Sequence, residues 1–275
     1  MSGRWKTARA AWKIALTVLI SVVAILPIYI TVIVSVKPQT DLSSFWVPPP
    51  ALSLENFAGA FVIGRLATAF MNTAIITAGS VALVVLLSAM AAYPLARHRS
   101  RLNTAVTTFM LSILMVPGLS LLVPLYVVLV HIRGISTYWG IILIHVTFNL
   151  PVTIFLYLNF IRAIPKDFDE AALIDGSSVY AVFARIILPL LKPVTVSVVI
   201  LAGVAVWNDY QFSLYFLQAP PMRVITLAIS SFFAVSGGNT HMAAAAAVAA
   251  IVPITILYVA LQRYFVQGVL DSALK

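Results

Sequence analysis

The sequence predicts an all-α membrane protein with six transmembrane helices. Three observations lead there. The chain is 62% hydrophobic and 9% charged, whereas a soluble domain carries roughly a quarter charged residues. Its mean hydropathy is +1.05. Apolar runs of membrane length recur along it, and the charges gather at their ends. No single water-soluble core hides so much apolar surface, so lipid is the solvent.

An apolar helix of about 20 residues crosses the hydrocarbon layer. The first run, Ile14–Val36, carries no charge. Basic residues precede it (Arg4, Lys6, Arg9, Lys13), but it is too long for a signal-peptide core and no small-residue cleavage site follows before Lys37, so it reads as an uncleaved helix. Gln39–Asn56, with Pro48–Pro49–Pro50, reads as a stiff extracellular connection that either meets a partner or covers the spans. Leu66–Ala96, Leu102–Val130 and Gly134–Ile161 follow, then Ile186–Val206 with Lys192 near its start, and finally Met242–Gln262. Pro117–Gly118 and Pro124 interrupt the third span and Pro253 the sixth, as pivots or static kinks. In Tyr210–Val235, Pro220, Pro221 and Arg223 leave Val224–Val235 too short to cross, and Gly237–Gly238–Asn239 ends it. A short surface or re-entrant helix fits there better than a seventh span. Residues 1–275 read as one transmembrane domain without an internal repeat.

The net charge of +9 would suit nucleic acid, but its distribution excludes that reading. The basic residues sit at the ends of spans, where anionic lipid and the positive-inside bias account for them. With six spans, one side holds 13 basic residues and the other 4, which places both termini in the cytoplasm. The chain has no cysteine, so disulfide and thiolate chemistry are excluded.

The scarce carboxylates also cluster. Four of eight (Asp167, Asp169, Glu170 and Asp175) lie in the cytoplasmic loop 162–192. Pro165 suits a first helical position, and the three acids that follow suit the positive end of a helix dipole. Asp175–Gly176 supplies a stop, with glycine free to turn left-handed, and Ser177 or Ser178 caps a second helix. Tyr180, Phe183, Ala184 and Ile187 then recur at helical spacing as one apolar face. The loop thus reads as helix–turn–helix along the membrane surface. Between Arg162 and Arg185 its net charge is −1, whereas a lipid-hugging loop would be basic. Small Ala171 and Ala172 suit close docking to a protein.

The stretch Glu170-Ala171-Ala172, Asp175-Gly176, Phe183, Leu188-Pro189 and Pro193 resembles the signature loop of permease subunits of sugar-type ABC importers, in the maltose-importer branch. Phe148-Asn149-Leu150-Pro151, Trp207-Asn208-Asp209 and the tail from Gln262 to Gly268 extend the resemblance over essentially the whole chain. Ser177 stands where the family often has Ala, and Asp209 where it often has Glu. The resemblance implies the type I ABC importer permease fold and the smaller partner of a permease pair. It implies a second, usually non-identical permease, two cytoplasmic ATPase subunits carrying ATP and Mg, and an extracytoplasmic solute-binding protein. Asp169, Glu170, Ala171, Ala172, Asp175, Gly176, Phe183 and Pro189 would then dock the ATPase. The chain has no phosphate-binding loop of its own, so no bound cofactor is expected.

Pathway candidates are fewer. His145 and Asn149 share a helix face, and His145 is either functional or a neutral, hydrogen-bonded group between helices. Trp207, Asn208 and Asp209 reach the extracellular face, where an aromatic either stacks on sugar or anchors the interface. Asn72 and Asn159 read as glue between helices. His98, His131 and His241 show no metal-ligand spacing. A secondary transporter would carry acids within its spans, and none of the six runs holds one. A membrane enzyme would need a catalytic cluster, which the sequence does not offer. Within the ABC class the alternative is import of another solute, such as a phosphorylated polyol or amino acid.

Overall fold

The computed structural model describes the backbone of residues 2–98, 100–234 and 239–273, and the side chains of 12–98, 100–233 and 239–262. Of the features above, Val235, Gly237–Gly238 and, among the basic residues counted, Arg99 and Lys275 lie outside the described residues, as do the side chains of Arg4, Lys6, Arg9, Arg263 and Tyr264–Gly268.

Helices follow one another along the chain: α1 (Ser2–Ser35), α2 (Glu55–Ile63), α3 (Leu66–Arg97), α4 (Arg101–Ile113), α5 (Leu122–His131), α6 (Tyr138–Ala163), α7 (Asp167–Ile174), α8 (Val179–Val182), α9 (Leu188–Leu190), α10 (Lys192–Trp207), α11 (Gln211–Phe216), α12 (Ile225–Ala234) and α13 (Thr240–Ala273). There is no strand among the described residues. Four helices are long and apolar enough to cross a membrane alone, α1, α3, α6 and α13. The predicted third and fifth spans are bent pairs. α4 meets the Gly118–His131 segment at 94°, and Val179–Leu190 meets α10 at 73°. Each bend has a proline cause: Pro117 is extended (φ −62°, ψ 126°) between α4 and the short 3-10 turn Gly118–Leu121, and Pro193 opens α10 without an N–H for the preceding turn. The crossings number six if each bent pair is one span.

The described residues within 1–67 and 228–252 form one compact unit, and those within 68–227 and 253–275 another. In the first, α1 is nearly bare: only 6% of its apolar window is buried, and Leu19, Val23 and Ile25 are about 60% exposed. Each such side chain left in water would forgo about 1.5–3 kcal/mol, so the helix belongs in lipid or against a partner. The connection after it is built on Lys37, which is fully buried. Its ammonium donates to the carbonyls of Ser43 (3.1 Å), Ser44 (3.0 Å) and Val47 (3.3 Å) and to the Ser43 hydroxyl (2.6 Å). Asp41 lies 3.6 Å from it. Asn56 at the start of α2 closes the connection, donating to the carbonyls of Ser35 and Lys37.

In the second unit, α3, α6 and α10 pack around Val84, Tyr157, Leu158, Ile161, Ile187 and Val198. A second cluster, including Ile76, Leu129, Ile141, Phe216 and Leu227, holds the 211–227 segment. That segment is α11, a 3-10 turn at Pro220–Met222 and the start of α12, short helices as the prolines predict. Asn72 on α3 donates to the carbonyls of Pro221 and Arg223 and accepts from the Tyr138 hydroxyl. It acts as glue, as expected.

Candidate functional site

The 162–192 segment is where the sequence places its carboxylates and where the structure departs most from a plain loop. α7 begins at Asp167, two residues beyond Pro165. Asp167, Asp169 and Glu170 occupy its first turn, the favourable end for negative charge. Gly176 ends it at φ +84° with nothing near its Cα face. That left-handed geometry strains an L side chain even in open space. Ser178 caps α8, accepting from the amide of Ala181.

The single apolar face expected for Tyr180, Phe183, Ala184 and Ile187 does not form. Residues Phe183–Ile187 wind as a π-helix, which slips the register of an α-helical stripe. Ile187 is fully buried while Tyr180 is 87% exposed. Phe183 lies against Tyr93, ring centroids 5.3 Å apart.

The candidate docking residues fall into two sets. Glu170, Ala171, Asp175, Gly176 and Pro189 are exposed, beside outward apolar side chains of which Ile174 is 85% exposed. An open notch of about 530 Å³ runs along α7, lined by Pro165, Phe168, Ala171, Asp175 and Ile186. Ala172, Phe183 and Asp169 turn inward. Asp169, one of the docking candidates, is thus turned to the body of the chain. Its carboxylate is buried against the end of α3: Arg97 Nη2 stands 2.8 Å from Oδ2, Arg97 Nε donates to Oδ1 at 3.2 Å, and the Tyr93 hydroxyl donates to Oδ1 at 2.7 Å. Arg97 Nη1 also donates to the carbonyls of Ile161 (3.1 Å) and Ile164 (3.0 Å) at the end of α6. The two charged side chains are 8% and 9% exposed. Removing either leaves the other charge buried, at a cost of about 3–5 kcal/mol.

Tyr93 and Arg97 were missed from sequence, where Arg97 counted only as a loop charge. The signal was present: an aromatic hydroxyl and an arginine four apart share a helix face, and one acid of the following helix had to point inward.

The pathway candidates gather around Asp209. Its carboxylate accepts from the amides of Phe212 (3.1 Å) and Ser213 (2.8 Å) and from the Ser213 hydroxyl (2.7 Å), so it starts α11. His145 is 4% exposed, with Nε2 3.7 Å from Asp209 Oδ2 and its ring edge-on to Phe212. Asn149 folds its amide back onto the His145 carbonyl. Trp207 is buried, 9% exposed, beside Phe70. Asn208 is exposed and donates to the Val204 carbonyl within its own helix. Asp209 and His145 thus come together, whereas Trp207 packs inward and Asn208 faces out.

A helical body with four to six apolar spans and a short helical hairpin between two of them is that of a multi-pass membrane protein. Over residues 84–271 the chain matches the family described as binding-protein-dependent transport system inner membrane component, and it belongs to that family. It is 40% identical over 274 residues to the melibiose/raffinose/stachyose import permease protein MelC of Bacillus subtilis (strain 168), covering 98% of this chain and 99% of that one. It is 29% identical to the multiple sugar-binding transport system permease protein MsmG of Streptococcus mutans, covering 96% of each. Among solved structures, the fold matches a chain of a bacterial ABC transporter involved in import of the acidic polysaccharide alginate. The TM-score is 0.85 at 18% identity, over 96% of this chain and 99% of that one. It is therefore the type I ABC importer permease fold.

Proposed function

We propose that this chain is one of two permease subunits of an ATP-driven oligosaccharide importer in the bacterial plasma membrane, with both termini cytoplasmic. The second permease is a different chain. Two ATPase subunits, which carry the ATP and Mg, dock on the 162–192 hairpin, and an extracytoplasmic binding protein delivers the solute. The observation that carries this reading is the hairpin's outer surface. Its exposed residues combine apolar Ile174 with acidic Glu170 and Asp175, and α7 lies between two spans and is fixed to them from its inner side by the Arg97–Asp169 pair. ATPase closure then moves α7, and the helical body alternates between inward-open and outward-open arrangements by rigid-body motion. No reacting group within the chain is needed.

The 40% identity to a melibiose, raffinose and stachyose permease makes those three sugars the first solutes to measure. The test is uptake of each labelled sugar in a strain lacking this chain, with the intact chain or Glu170→Lys restored. The intact chain is expected to restore uptake of at least one. Glu170→Lys is expected to lose the ATPase from the purified complex. Unchanged copurification and transport in Glu170→Lys would remove the hairpin from the docking role.

A further inference from the structure

We propose that Tyr93 and Arg97, at the end of α3, are positioning residues through which movement of α7 enters the membrane-spanning body. The proposal rests on the reading of α7 as the ATPase-docking helix and adds the route the motion takes.

The chain offers two covalent routes out of α7. One runs back through Ile164–Lys166 to α6, a linker with extended backbone at Ile164 (ψ 126°). The other runs forward through the Gly176 turn, the π-helical turn Phe183–Ile187 and the 73° bend into α10. Neither is one continuous straight helix: the first leaves helical geometry at Ile164, the second at Gly176 and again at the 73° bend.

The noncovalent route is stiffer. Arg97 spans three partners with one planar fork, the carboxylate of Asp169 on α7 and the carbonyls of Ile161 and Ile164 closing α6. A guanidinium makes such contacts in a fixed geometry. Tyr93, one turn earlier, binds the same carboxylate through its hydroxyl and rests its ring against Phe183 of the π-helical turn. Two side chains of α3 thus hold α7, the end of α6 and the entry to α10 at one point. A displacement of α7 must carry α3 and α6 with it or break a buried ion pair.

The test uses the assembled transporter in proteoliposomes with its binding protein, and reads ATP hydrolysed per sugar imported. Arg97→Gln and Asp169→Asn are expected to raise that ratio about tenfold, the usual scale of coupling between sites, with the ATPase still copurifying. Arg97→Lys, which keeps the charge and loses the fork, should fall between these and the wild type. Tyr93→Phe keeps the ring on Phe183 and removes one hydrogen bond, so its expected rise is about threefold. A merely structural role would lower the amount of active transporter, so uptake and hydrolysis would fall together at a constant ratio, and that result overturns the proposal. If the two neutralised variants do not accumulate, Tyr93→Phe decides, and an unchanged ratio there overturns it equally. Loss of the ATPase in Glu170→Lys alongside normal ratios in all four variants would leave the docking reading standing and remove the α3 route. Absence of ATP-driven uptake by the wild-type complex would overturn both.

Discussion

Gly176 and Lys37 carry opposite lessons about single residues. At Gly176 the surroundings are empty and the backbone alone disfavours a side chain. Gly176→Val is therefore expected to destabilise the hairpin by about 1–2 kcal/mol without any clash, and Gly176→Asn by less, because Asn tolerates the left-handed region. ATPase copurification with the two variants checks the order, and equal loss would mean that the turn's shape is not what docking reads. At Lys37 the backbone is ordinary and the surroundings decide. Lys37→Met would strand three carbonyls and a hydroxyl that now share one ammonium, an expected cost of about 2–4 kcal/mol, measurable as a lower thermal midpoint of the purified chain. Asp41 adds a pH dependence to this connection. The amide of Ser43, 2.9 Å away, and then the Ser43 hydroxyl hold its carboxyl below the usual 3.8, with Lys37 adding to the effect. A folded value below the unfolded one favours the folded connection above about pH 4 and withdraws that support as pH falls through the folded value. Amide exchange across residues 37–53, corrected for intrinsic rate, should quicken near pH 3 and stay constant from pH 6 to 8. Equal protection at pH 3 would show that the carboxylate holds nothing.

Bent helices make span counting an experimental question at the scale of elements. Between Leu42, 96% exposed in the Lys37 connection, and Ser178, exposed at the start of α8, the chain passes α3, the α4–α5 pair and α6. Three crossings put the two residues on opposite sides, whereas two would put them on the same side. The chain has no cysteine, so Leu42→Cys and Ser178→Cys report cleanly. Leu42→Cys is expected to label from outside intact cells and Ser178→Cys only in inverted vesicles. Labelling of both from one side would mean that the 94° pair does not cross.

Much of the fold was legible because it rests on run length and proline position. The long runs became α1, α3, α6 and α13, and Pro117, Pro189, Pro193 and Pro220–Pro221 fall where helices break or turn, whereas Pro253 and Pro124, read as interruptions, lie inside α13 and α5. The candidate site was legible as a segment but not in its side-chain directions. Composition shows that Asp169, Glu170 and Ala172 lie in one short helix, but which of them faces the bundle depends on Arg97, some seventy positions away. Likewise the π-helical turn is a register slip, invisible to a method that assumes one period. Lys37 was hidden for a related reason: a lone lysine after a span reads as surface charge unless the carbonyls that enclose it are seen.

For the molecule as a whole, the prediction concerns what the chain contributes to sugar recognition. Asn208 is exposed but spends its amide on its own helix, and Trp207 is packed against Phe70. Trp207 is too buried to offer a sugar an aromatic face, and one N–H of Asn208 is held by its own helix, which leaves only its amide oxygen and second N–H at the surface. Asn208→Ala and Trp207→Ala should lower the maximal uptake rate, or raise hydrolysis without sugar, by shifting the inward–outward equilibrium. The concentration for half-maximal uptake should stay within about twofold. A large rise in that concentration at an unchanged maximal rate would make them sugar ligands.

The bareness of α1 has a consequence for how changes in this protein are read. The family match begins at residue 84, and α1 buries almost nothing of its own apolar window. Its sequence is therefore answerable to lipid and to whatever chain stands beside it, not to this chain's interior. Apolar exchanges along residues 14–33 should be silent in the purified subunit and become visible only in the assembled transporter. Screens scored on the isolated chain will class this helix as tolerant, while screens scored on growth will draw the outline of its neighbour.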